Sequence, residues 1–180
     1  MARVLSTMSD RVASVERAVC AILLACIVGL IILNVVTRAL NFALFWVDEL
    51  AVYCMIWMAF FGASMLLRER RHVAVTLATG MLSDNRRRIV SMIVDVLIFA
   101  FAVGLFLMSV KWYDPIGLIR HGFDFEEFAA NTYNFIYQEP TNTLGIKKFW
   151  IWLVIPIVSL RMSLHALANL LEGSSKGGNG

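Results

Sequence analysis

Three side chains able to carry charge fall inside long apolar runs: Asp95, Arg161 and His165. Such a set can relay protons or hold an ion, it can pair to lock helices together, or it can grip a neighbouring subunit. A relay needs titratable groups leading to both surfaces, and the outer halves of these runs offer none. Pairing between helices is the simpler expectation, because a central Asp or Arg costs about 2.5–3.5 kcal/mol to insert and is retained where it faces protein. A second constellation brackets a short polar break: Asn34 and Arg38 four residues apart on one helical face, then Trp46, Asp48 and Glu49. An Arg opposite two carboxylates across a hairpin makes a local charge clasp, and polar groups at a membrane interface add modestly to association with another helix.

Other chemistries find no support. His72 and His121 fall in polar connections and only His165 lies in an apolar run, so a haem between two membrane histidines lacks its second ligand. Cys20, Cys26 and Cys54 sit in apolar stretches, form no C-x-x-C and are odd in number. There is no phosphate-binding glycine loop, metal spacing or nucleophile–base set. The expectation is a protein that is not an enzyme and holds no cofactor. The net charge of +3 is too small to argue for nucleic acid.

The elements that must position these residues are membrane helices. The chain of 180 residues is 59% hydrophobic and 16% charged, with a mean hydropathy of +0.73, whereas soluble domains run near 45–50% and 25%. Four spans are expected, at about 18–38, 48–68, 89–111 and 149–171. The first contains about a dozen Leu, Ile or Val residues, contributing roughly −4 to −7 kcal/mol to insertion, and reads as a retained anchor rather than a cleaved signal. Residues 1–17 form a separate interfacial segment, with Val4, Leu5, Met8, Val12 and Val15 at helical spacing. In the second span Asp48 and Glu49 stand at the start and Arg68 at the end, as the helix dipole favours. Asp95 lies about 9 Å into the third span, and the fourth runs in the opposite direction. Asp95, His165 and Arg161 are therefore expected to meet. The connection 112–148 is acidic, and 123–137 suits a helix lying at the membrane surface. Residues 172–180 form a flexible tail.

Orientation follows from charge bias. The loop 68–88 carries Arg68, Arg70, Arg71, Arg86, Arg87 and Arg88 beside His72, which places it in the cytoplasm. The fold expected is thus an all-α integral membrane protein with four transmembrane helices, both termini inside, and short interfacial amphipathic helices. The basic loop is expected to fix orientation and meet anionic phospholipid.

The combination N-V-V-T-R at 34–38, W-V-D-E-L at 46–50, Trp57, Gly62 and R-E-R-R-H at 68–72, with T-L-G-I at 143–146 and Pro156, resembles the small permease (DctQ-type) subunit of tripartite ATP-independent periplasmic (TRAP) transporters. The resemblance implies a helper in the bacterial inner membrane. Such a subunit braces a large permease subunit, which holds the sodium and substrate sites, while a periplasmic substrate-binding protein delivers an organic anion. It also implies that Asn34, Arg38, Trp46, Asp48, Glu49, Trp57 and Gly62 serve the hairpin and the subunit contact, with Asp124, Glu126 and Glu127 as candidate contacts for the binding protein. The chain shows no inverted repeat of its own, consistent with a helper. The alternative is a stand-alone homo-oligomeric carrier of ions or solutes.

Overall fold

The computed structural model describes residues 2–69 and 83–175. Seven helices lie in these residues: α1 (Ala2–Ala39), α2 (Phe45–Glu69), α3 (Asp84–Tyr113), α4 (Pro115–Arg120), α5 (Phe125–Thr132), α6 (Phe149–Trp152) and α7 (Val154–Ser175). Arg70, Arg71, His72 and residues 176–180 lie outside the described residues, and so do the side chains of Arg87 and Arg88. Among the described residues four stretches are long and apolar enough to cross a membrane: Val4–Ala39, Phe45–Arg68, Ile89–Arg120 and Phe149–Leu171.

The first helix differs from the sequence reading. It runs unbroken through residues 17 and 18, about 57 Å at 1.5 Å per residue, and its early turns belong to the bundle. Its less exposed residues recur at alternating steps of four and three: Ser9, Ala13, Glu16, Cys20, Leu23, Ile27, Leu30, Asn34 and Thr37. That spacing gives one continuous seam, as in coiled coils. The seam is polar at both ends and apolar in the middle.

Helix α2 returns along α1, and α7 touches α1, α2 and α3, whereas α3 packs chiefly on α7. The shared centre of α1, α2 and α7 is apolar: Phe61, Val154 and Val158 are buried, with Val19, Cys20, Leu23, Trp57 and Met162 packed around them. Ser159, Ala166 and Ala168 are buried on α7, and such small residues let membrane helices approach closely.

Residues 113–153 build a separate aromatic cap over one end of the bundle. Tyr113, Leu118, Phe128, Ile136 and Tyr137 are buried together, flanked by Phe125, Phe149, Trp152 and Leu153. Phe125 stacks on Tyr137 at 5.4 Å, and Phe128 meets the same ring edge-on at 5.5 Å. The Tyr137 hydroxyl donates to the Tyr113 carbonyl and the Tyr113 hydroxyl to the Phe149 carbonyl, each at 2.6 Å. Burial, with the Asp114 carboxylate as a lesser influence, pushes the Tyr137 phenol above its ordinary pKa, so it remains a donor at neutral pH. The helix expected within 123–137 is confined to Phe125–Thr132. Asp124 caps its start and Tyr133, at φ 56°, ends it in the left-handed region.

Candidate functional site

The polar residues of the bundle gather into two clasps, one at each end of the α1–α2 pair. At the Arg68 end the central group is Glu16, fully buried on the α1 seam. Its Oε1 accepts a hydrogen bond from the Ser64 hydroxyl of α2 at 2.7 Å, and its Oε2 lies 3.2 Å from His165 Nε2 of α7. The other imidazole nitrogen, Nδ1, lies 2.6 Å from the Ser9 hydroxyl. Ser9, Ser64 and His165 are as buried as Glu16. Imidazole with its proton on Nε2 satisfies both contacts, donating to Glu16 and accepting from Ser9. Arg161 adds a positive charge, its Nη1 3.8 Å from Glu16 Oε1, and its guanidinium lies over the Phe61 ring at 5.2 Å. Three helices thus converge on one carboxylate in a setting where an unpaired charge is costly.

One turn or two beyond, Arg68 closes the same end. It donates to Asp10 at 2.8 Å, to Asn169 at 2.9 Å and to Ser6 at 2.9 Å. Asn169 in turn donates to the Leu67 carbonyl at 3.1 Å. These contacts again join α1, α2 and α7.

At the hairpin end, Arg38 Nη2 lies 2.8 Å from Asp48 Oδ2, and Arg38 Nε donates to Asn34 Oδ1 at 2.9 Å. The Asn34 amide donates to Asp48 Oδ1, closing the triangle. Sixty per cent of the Arg38 side chain and half of that of Asp48 remain exposed, so this clasp presents charge outward, unlike the buried one.

Glu49 turns the other way, towards the cap. Five donors meet its carboxylate: the backbone amides of Asn142 (2.8 Å), Thr143 (2.7 Å) and Leu144 (3.1 Å), the Thr143 hydroxyl (2.5 Å) and the Tyr53 hydroxyl (2.8 Å). Gly145, at φ +70°, supplies the left-handed residue of that turn. The Thr141 amide donates to the Ile146 carbonyl at 2.7 Å and draws the loop closed. A second tie crosses from α2: the Trp57 indole donates to the Ile151 carbonyl at 2.8 Å. That carbonyl belongs to α6, two residues before the break at residue 153 that separates α6 from α7.

The structure redistributes the residues singled out in the sequence. Asn34, Arg38 and Asp48 come together, while Glu49 and Trp57 join α2 to the cap. Trp46 is exposed in the first turn of α2. Among the described residues no neighbouring element comes within 4 Å of where a Cβ at Gly62 would stand, so none of them requires glycine there. His165 and Arg161 both meet Glu16 of α1, an acid the sequence reading had not brought to them. Asp95 is half-buried on α3. Arg68, expected to face lipid, is largely buried and engaged by protein; Arg86 is exposed. Asp124 accepts from the amides of Glu126 (2.8 Å) and Glu127 (3.0 Å) as a helix cap, and both glutamates are exposed. Glu16, Ser9, Ser64, Asn169 and Tyr53 were missed, and Thr143 was read only as part of a motif. The four-three spacing linking Glu16 to Asn34 is the signal that could have found the first of them.

Comparison with known proteins agrees with this architecture. Residues 27–176 match the family model described as tripartite ATP-independent periplasmic transporters, DctQ component. The chain is 34% identical over 79 residues to a Haemophilus influenzae (strain Rd) protein named as a TRAP transporter small permease, covering 43% of this chain and 49% of that one. It is 25% identical over 138 residues to the sialic acid TRAP transporter permease protein SiaT of H. influenzae 86-028NP, covering 76% of this chain and 19% of that one. The aligned stretch therefore spans less than half the length of either relative. With four membrane-crossing helices and a family match over most of its length, the chain is a multi-pass inner-membrane protein belonging to the DctQ-component family of tripartite ATP-independent periplasmic transporters.

Proposed function

We propose that this small TRAP subunit is a static brace for a large permease subunit during sodium-driven, binding-protein-dependent uptake of an organic anion. The observation that carries the reading is the fate of its membrane polar groups. Glu16, His165, Ser9 and Ser64 spend their polar atoms on one another across three helices, which stiffens a bundle rather than opening a path. Sodium and substrate sites are assigned to the large subunit, and no catalytic step to this one. The SiaT relative is named for sialic acid, an organic acid, which supports the substrate class and not the particular substrate.

The exposed Arg38–Asp48 pair and Gly62 are proposed to lie against the large subunit, since both leave room for a neighbour. Both termini are placed in the cytoplasm, with Arg70, Arg71, His72, Arg86, Arg87 and Arg88 near phospholipid head groups. The exposed Glu126 and Glu127 are proposed to meet the periplasmic binding protein. Co-expression with the large subunit tests the brace. Arg38→Ala and Asp48→Ala are expected to reduce co-purification and uptake together while leaving the small subunit folded. Normal assembly in both variants defeats the interface assignment. Organic-anion uptake by vesicles containing this chain alone defeats the brace reading itself in favour of a stand-alone carrier.

A further inference from the structure

We infer that α4 and its flanks form a foot seated in the bilayer's interfacial layer, with phospholipid as its partner. The argument begins with length. From Ile89, about 20 residues at 1.5 Å each cross a hydrocarbon core of about 30 Å, so α3 has left the core before Trp112. Trp112 is 42% exposed, at the depth where tryptophan is enriched. Asp114 then takes the left-handed conformation at φ 39° and accepts a bond from the Gly117 amide at 2.9 Å, starting α4 in a new direction.

The roll of α4 is fixed by Leu118, which is buried in the aromatic cap. The residues left outward are apolar: Ile116 is 63% exposed, Ile119 60% and Phe123 64%. In water, three such side chains in eight residues, beside Trp112, make an unfavourable patch. Next to a lipid-facing helix they continue its outer surface, since Leu107, Met108 and Val110 of α3 are exposed immediately before. Lys111 and Arg120, both exposed, flank the patch and complement phosphate groups. The acids behave oppositely. Asp124, Glu126 and Glu127 are exposed on the following helix, which an anionic surface disfavours. The interfacial role expected of 123–137 thus falls to 112–123, and α5 faces water. This inference rests on the inner-membrane location and not on the brace reading.

Nitroxide scanning tests it on the full chain, reconstituted alone into phosphatidylethanolamine–phosphatidylglycerol vesicles, with Cys20→Ala, Cys26→Ala and Cys54→Ala as background. Single labels go in through Ile116→Cys, Ile119→Cys, Phe123→Cys, Glu126→Cys and Asn131→Cys. Oxygen collisions are expected to exceed those of a water-soluble nickel chelate at 116, 119 and 123, with the ratio reversed at 126 and 131. Nickel dominance at 116 and 119 overturns the inference, because the patch then faces water. Shielding from both reagents also overturns it, because a second copy of the chain then covers the patch. Labels at 116 and 119 that unfold the protein leave Phe123, together with quenching of Trp112 by brominated phospholipid, to decide between the same outcomes.

Discussion

Replacing Glu16 with alanine is expected to be the most damaging single change in the bundle. The substitution removes the acceptor of the Ser64 hydroxyl and of His165 Nε2, and the counter-charge of Arg161. Breaking a buried pair by deleting one partner costs about 3–5 kcal/mol in soluble proteins. Polar contacts between membrane helices are weaker, about 0.6–1.7 kcal/mol each, because the helices of the unfolded state find other partners. Three contacts at that scale give about 2–5 kcal/mol, and the two routes overlap. Glu16→Gln retains a carbonyl oxygen for one donor but no charge, and falls between. The assay is reversible unfolding in mixed micelles, with Arg11→Ala, an exposed change on the same helix, as the control expected within about 0.5 kcal/mol of the parent. Combining Glu16→Ala with His165→Ala is expected to be non-additive by about 0.5–3 kcal/mol, since the two touch. If Glu16→Ala matches the Arg11 control, or the pair is strictly additive, the buried clasp does not hold the helices together.

Glu49→Gln loses the charge that five donors address, so the amides of Asn142, Thr143 and Leu144 are expected to exchange hydrogen faster; an unchanged rate at all three removes Glu49 as the tie to the cap. Trp57→Phe keeps a ring but leaves the Ile151 carbonyl without its donor, an expected loss of about 0.5–1.5 kcal/mol, measured by the same unfolding assay and refuted by a neutral result. Phe128→Ala opens the centre of the aromatic cap, where Phe128 is fully buried, at about 3–5 kcal/mol. Exchange across 113–137 should rise while α1 and α2 are unaffected, and uniform exchange along the chain would contradict an independent cap core.

Much of the fold was legible because insertion into lipid is decided locally. Each apolar run carries enough transfer free energy to cross the membrane whatever its neighbours do, so four spans and the hairpin at 40–44 could be read in advance. The Arg38–Asp48 clasp was legible for a related reason: its members are separated by a turn too short to let them part. The extent of α1 was not. The apolar spacing of residues 1–17 suggested a separate surface segment, yet Glu16 lies on the seam and is paired by residues 48 and 149 positions away.

What the sequence by itself determined, then, is which stretches enter the membrane and which charges face each other across a hairpin, since both follow from composition and short-range geometry. Which carboxylate meets His165, which loop Glu49 grips and which side of α4 turns outward were decided only by tertiary packing. Lipid is indifferent to how apolar helices are arranged, so the arrangement is set by small-residue contacts and by polar atoms that must find partners, and those partners are distant along the chain.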